Sequence, residues 1–188
     1  MPPRSILVFA RGCDTIRKTP FWTGFRERIE NTPRGRFVEV GALLGSVRVM
    51  QEQVDESLRR GELAALVGMR IPRGGGDWSQ IRHFTEARFS RRLSKYVEGR
   101  LRSANLPEIP VRYNVEYGPD DVKRDREARA YVQACAELRH RVAPLVILPW
   151  FGDNPEQRRY RKEDALGSRL FGVLMAQGVT HFLGRWNG

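Results

Sequence analysis

Near the end of the chain, basic residues surround a tyrosine: Arg158, Arg159, Tyr160, Arg161 and Lys162. The stretch Tyr160–Thr180, "YRKEDALGSRLFGVLMAQGVT", carries Gln177 toward its end. These types suit a phosphate. Guanidinium groups pair bidentately with phosphate oxygens, and the free N–H groups of a helix start favour an anion. The Tyr160 ring would stack on a base, a contact worth about 1–3 kcal/mol, and the Gln177 amide can donate to a phosphate oxygen. A structural reading competes. Leu166, Leu170, Phe171, Leu174 and Met175 would be core, Gly167 and Gly172 would permit close helix–sheet approach, and the arginines would be solvated.

Elsewhere, catalytic chemistry is sparse. There is no GxSxG, no Walker A sequence and no GxGxxG after a strand. "GCDTIRK" (12–18) follows the first apolar run and sets one Gly near a Lys, but lacks the rest of a phosphate-binding loop. Asp120–Asp121 and Glu163–Asp164 are paired acids of the kind that helix starts commonly carry. His83, His140 and His181 show no paired spacing, and Cys13 and Cys135 form no CxxC. The expectation is therefore a chain with no metal, no cofactor and no catalytic set, more a binding module than an enzyme.

The elements that must position these residues alternate. Residues 5–10, "SILVFA", read as a buried strand and 20–32 as a short helix with Phe21, Phe25 and Ile29 on one face. Residues 36–45 favour a strand, 46–61 a helix capped by Ser46, and 63–71 a buried strand running into the loop "PRGGGDW". A long helix is expected over about 79–104, with Ile81, Phe84, Phe89, Leu93, Val97 and Leu101 inward. "VRYNVEY" (111–117) alternates as a strand, a helix follows from about 120, and "PLVILP" (144–149) is the continuous apolar run that a parallel sheet buries. The Tyr160 stretch supplies a last helix and "VTHFLG" (179–184) a last strand. This alternation predicts an α/β fold, Rossmann-like, with a mostly parallel sheet and helices on both faces. The loop after Pro149 then lies at a strand's carboxyl end, where such sheets bind ligands.

From residue 63 onward, the order of these features resembles the MID domain of Argonaute proteins. The carrying segments are "FTEARFSRRLSKYVEGRLRSANLP" (84–107), "LVILP" (145–149) and the Tyr160 stretch. The resemblance implies a non-catalytic module that holds the 5′-phosphorylated end of a guide strand. Tyr160 would stack on the first base, Gly167 and Gly172 match a glycine pair, and Gln177 falls near the pocket glutamine. Where the family has a lysine four residues after the tyrosine, this chain has Asp164. The division implied is an N-terminal strand and helix segment over 1–62, whose strand can join the same sheet, and a MID-like unit over 63–188.

Composition points the same way. The net charge is +11, and 29 of the 33 basic residues are Arg, so a polyanion, RNA or DNA, is the expected partner. The alternatives are a structural protein of a nucleoprotein particle (a ribosome-like assembly or a virion, with other protein subunits as partners) and a small α/β enzyme of unrecognised type. No apolar run approaches the roughly 20 residues that span a bilayer, so no membrane partner is expected. Two distant cysteines suit a reducing, cytoplasmic compartment.

Overall fold

A computed structural model describes residues 6–40, 63–71, 78–104, 111–124, 142–150 and 164–186, with positions 52, 54–56, 59, 60, 126, 129, 154 and 155 between them. Six strands form one sheet: β1 (Ile6–Gly12), β2 (Gly35–Glu39), β3 (Leu63–Met69), β4 (Ser79–Phe84), β5 (Val111–Tyr117) and β6 (Val142–Leu148). Their order across the sheet is β2-β1-β3-β6-β4-β5. The pairs β1–β2, β1–β3, β3–β6 and β4–β5 are parallel, and β4 runs antiparallel to β6. The protein is therefore a mixed α/β fold around a central, mostly parallel sheet flanked by helices.

The central strands are apolar on both faces because both are covered. Ile6, Val8 and Ala10 of β1, Ala65 and Val67 of β3, and Leu145 and Ile147 of β6 join the larger core. That core also takes α2 (Pro20–Glu30), α3 (Ser90–Ser103) and α5 (Ala165–Arg185). The opposite face, with Leu7, Phe9, Leu66, Val146 and Leu148, packs on Val54 and on Val122 of α4 (Pro119–Arg124). Helix α2 starts where Thr19 caps it, accepting from the Trp22 N–H at 3.4 Å, with Pro20 in the first turn. Its Phe21 and Phe25 are fully buried, each burial contributing about 1.5–3 kcal/mol.

Two sequence expectations need correction. Residues 79–104 are not one helix: 79–84 form β4, and α3 begins only at Ser90. Ser90 makes the corner. Its hydroxyl accepts from Phe84 N–H at 2.9 Å and donates to the Pro144 carbonyl, tying the helix start to β4 and β6. The residues 179–184 are not a strand but the last turns of α5, whose buried Phe171, Leu174, Met175, Gly178, Val179, Phe182 and Leu183 recur at three and four. Glycine makes the close approach of α5 possible. A Cβ on Gly172 would lie 2.0 Å from the Phe21 carbonyl oxygen of α2, so no other residue fits without parting the helices. Among the described residues no helix is long and apolar enough to cross a membrane.

Candidate functional site

Strand order locates a cleft. From β1 the chain moves to β2 on one side, whereas from β3 it moves toward β4 on the other. The loops that leave β1 and β3 therefore diverge, and the crevice between them is the switch point where open α/β sheets bind ligands. A cavity of about 450 Å³ lies there, lined by Arg11, Gly12, Cys13, Asp14, Arg17, Val40, Met69, Arg70 and Ile71. It adjoins a groove of about 640 Å³ lined by Asp14, Arg17, Lys18, Trp22, Thr23, Arg26, Glu27, Glu30 and Glu39.

Arg17 and Asp14 belong to both compartments. Arg17 sits on α1 (Asp14–Arg17), the single turn after β1. Its Nη1 donates to Glu39 Oε1 at 2.7 Å, and its Nη2 pairs with Asp14. These bonds to Glu39 and Asp14 push the guanidinium pKa upward and fix the side chain between β1 and β2. Gly12 lets the loop pass beneath Trp22, since a Cβ there would meet the indole Cζ3 at 2.8 Å. Cys13, at the N-cap position of α1 without a side-chain cap bond, is exposed and in no disulfide. The cavity is thus lined by three guanidinium groups, a thiol and one carboxylate, with Arg17 held by Asp14 and Glu39. Such a set suits a ligand carrying carboxylates, because each guanidinium offers a planar pair of donors.

The histidines lie elsewhere. His83 is buried in β4, a strand beyond β6. Burial lowers its pKa, Glu116 opposes that shift and Arg91 adds to it. His181 is on α5, edge-on to Tyr96 with ring centroids 5.4 Å apart. His140 falls outside the described residues. Among the described residues no three His, Cys, Asp or Glu side chains gather closely enough to hold a metal ion.

Of the residues expected to hold a phosphate, Arg158, Arg159, Tyr160, Arg161 and Lys162 lie outside the described residues. Gln177 lies within α5, roughly 18 Å along the axis from Ala165 at 1.5 Å per residue. Among the described residues no strand follows it, and its Oε1 accepts from Arg100 Nε at 2.9 Å. Asp164 caps α5, accepting from Gly167 N–H at 2.7 Å; its carboxylate serves the helix start. The cleft residues were legible only as "GCDTIRK" after a buried strand, a position with meaning once the strand order is known.

No protein-family model matches the sequence, and no curated protein sequence matches it. Solved structures do match the fold. An N-acetylmuramoyl-L-alanine amidase from Clostridium difficile 630 has a TM-score of 0.62 at 11% identity, covering 98% of this chain and 100% of that one. The enzyme of the same name from Mycobacterium smegmatis has a TM-score of 0.59 at 12% identity, covering 99% and 100%. A third, from Nostoc punctiforme, has a TM-score of 0.57 at 14% identity, covering 96% and 98%. At these identities the likeness establishes the fold. It corrects the Argonaute MID resemblance, because these structures match β1 to α5 end to end, whereas the MID resemblance began at residue 63 and required a strand after Gln177. The reading as a non-catalytic, Argonaute-like RNA- or DNA-binding module is corrected with it. The ribonucleoprotein-particle alternative gains no better support.

Proposed function

We propose that this chain is a peptidoglycan-directed protein that engages the acidic, amide-linked peptide stem of the wall in the cleft over β1 and β3. One observation carries the reading: the fold coincides over nearly its whole length with three N-acetylmuramoyl-L-alanine amidases. The bond named there joins a muramic acid carboxyl to the amine of L-alanine, so that carboxyl is a neutral amide, and any carboxylate the cleft meets comes from the rest of the peptide stem. Arg11 and Arg70 at the ends of β1 and β3 suit such carboxylates, with Arg17 beside them held by Asp14 and Glu39. On this reading the protein is an amidase that hydrolyses that bond.

A second reading, recognition without cleavage, is favoured by the placement of the two described histidines. A catalytic zinc site typically takes three protein ligands, most of them histidines, and His83 and His181 both lie away from the cleft. Cys13 is the thiol among the cleft residues, and neither described histidine stands beside it as a base.

Purified wall sacculi test both. The first reading expects sedimentation with sacculi and release of new amino termini, read by amine labelling and mass spectrometry. The second expects sedimentation alone. Arg70→Gln should weaken sedimentation about tenfold, which corresponds to about 1.4 kcal/mol. A protein that neither sediments with sacculi nor releases amines is not directed at peptidoglycan.

A further inference from the structure

Among the described residues, a further charged feature is a helix face. Arg91, Lys95 and Arg102 recur at i, i+4 and i+11 on α3 and share one exposed side, with Arg92 on its flank. The acid on α3 is Glu98, within the same stripe and paired with Arg102 at 2.8 Å. Beside it Gly99 leaves open space, with nothing within 4 Å of where a Cβ would stand. The inward side of α3 is held by Leu93, Val97 and Leu101 in the core, so the basic side is fixed outward.

We propose that this face binds an extended phosphodiester polymer attached to the cell wall. The charge selects a polyanion, and the predominance of Arg over Lys favours oxygens presented in pairs, as a phosphate presents them. Neither aromatic at the face offers an open ring: Tyr96 packs edge-on to His181 and Phe182 of α5, and Tyr113 of β5 lies under the Arg102 guanidinium, 4.7 Å from its ring centroid. With both rings already covered, a strand of unpaired bases would find no open stacking platform here, whereas a polymer carrying phosphates alone needs none. That the polymer belongs to the wall rests on the reading of the preceding subsection; the selection of phosphodiester charge does not.

The test compares sacculi carrying their covalently attached phosphodiester polymer with sacculi stripped of it by hydrofluoric acid. Wild-type protein should sediment at least tenfold better with the polymer-bearing walls. The triple variant Arg91→Gln, Arg92→Gln, Lys95→Gln should lose that advantage at least tenfold, and its log–log salt slope should flatten by about 2, since each lost contact accounts for roughly 0.7. Its sedimentation with stripped walls and its melting temperature should match the wild type. Equal binding to both wall preparations, or full retention by the triple variant, overturns the proposal. Duplex DNA that displaces the protein from polymer-bearing walls at lower phosphate concentration than the free polymer also overturns it, in favour of nucleic acid. The two readings fail separately. Binding to polymer-bearing walls through α3 with none to stripped walls removes the cleft reading and leaves this one standing.

Discussion

Helices α2 and α3 lie on the same side of the sheet and both pack on α5, yet they treat charge in opposite ways. On α2, Arg26 pairs with Glu30 at 2.9 Å and Glu27 pairs with Arg169 of α5. Its exposed charges are mixed in sign and close on one another or line the groove beside the cleft. On α3, Glu98 stands among Arg91, Arg92, Lys95, Arg100 and Arg102. Helix propensity does not require the difference, since Arg and Lys suit either helix equally. A mixed-sign surface stabilises itself by small increments, whereas a one-sign surface repels itself unless counter-charge arrives from outside. Among the described residues, α3 thus carries an excess of positive charge that its one acid does not balance.

Contact geometry separates the same two helices. Backbone meets backbone where α2 crosses α5: a Cβ on Gly24 would lie 2.3 Å from the Arg169 carbonyl oxygen, and one on Gly172 would lie 2.0 Å from that of Phe21. The largest expected effect breaks this contact. Gly172→Ala should destabilise the protein by about 3 kcal/mol or more, because the obstacle is backbone and cannot swing aside. Chemical denaturation reads it, and a midpoint unchanged from wild type would mean that α2 and α5 do not meet so closely.

The attachment of α3 is polar instead. Ser90 is fully buried, and its hydroxyl serves both the Phe84 N–H and the Pro144 carbonyl. Ser90→Ala should cost about 2–3 kcal/mol, since it strands a buried donor and a buried acceptor at once. Faster hydrogen exchange at Phe84 should accompany the loss. Slow exchange with unchanged stability would show that the corner is held by packing alone.

These contacts also explain what could be read from the sequence. β1, β3 and β6 were legible because continuous apolar runs between turn residues have few other uses in an α/β chain. α2 was legible from Phe21, Phe25 and Ile29, together with Pro20 at its start. The boundary between β4 and α3 was not, because Ile81 and Phe84 are three apart and fit a helical stripe as well as a strand. Only the Ser90 bonds to distant Phe84 and Pro144 reveal the corner. The last turns of α5 were misread because Val179 and Thr180 are β-branched and Gly178 looks like a stop. In the fold that glycine admits Val97 of α3, whose Cα would stand 2.5 Å from an added Cβ. The cleft was visible as residues but not as a place: Arg11, Cys13 and Arg17 gain meaning only beside Arg70, and that neighbourhood depends on the pairing of β1 with β3.

A smaller substitution sharpens the comparison from the other side. Gly99 sits in the exposed interior of α3 with open space around it, unlike Gly24 and Gly172 on the α2–α5 contact. Gly99→Ala should therefore stabilise the protein by about 0.5–1 kcal/mol, the usual gain from removing backbone freedom in a helix interior. The same change should leave sedimentation with stripped walls untouched, because the cleft is elsewhere. With polymer-bearing walls its effect separates two uses of the residue. Unchanged binding would mean that the polymer runs along the Arg91–Lys95–Arg102 stripe alone. A fall of severalfold, in a protein that has become more stable, would place the polymer backbone directly over Gly99, where a methyl group intrudes.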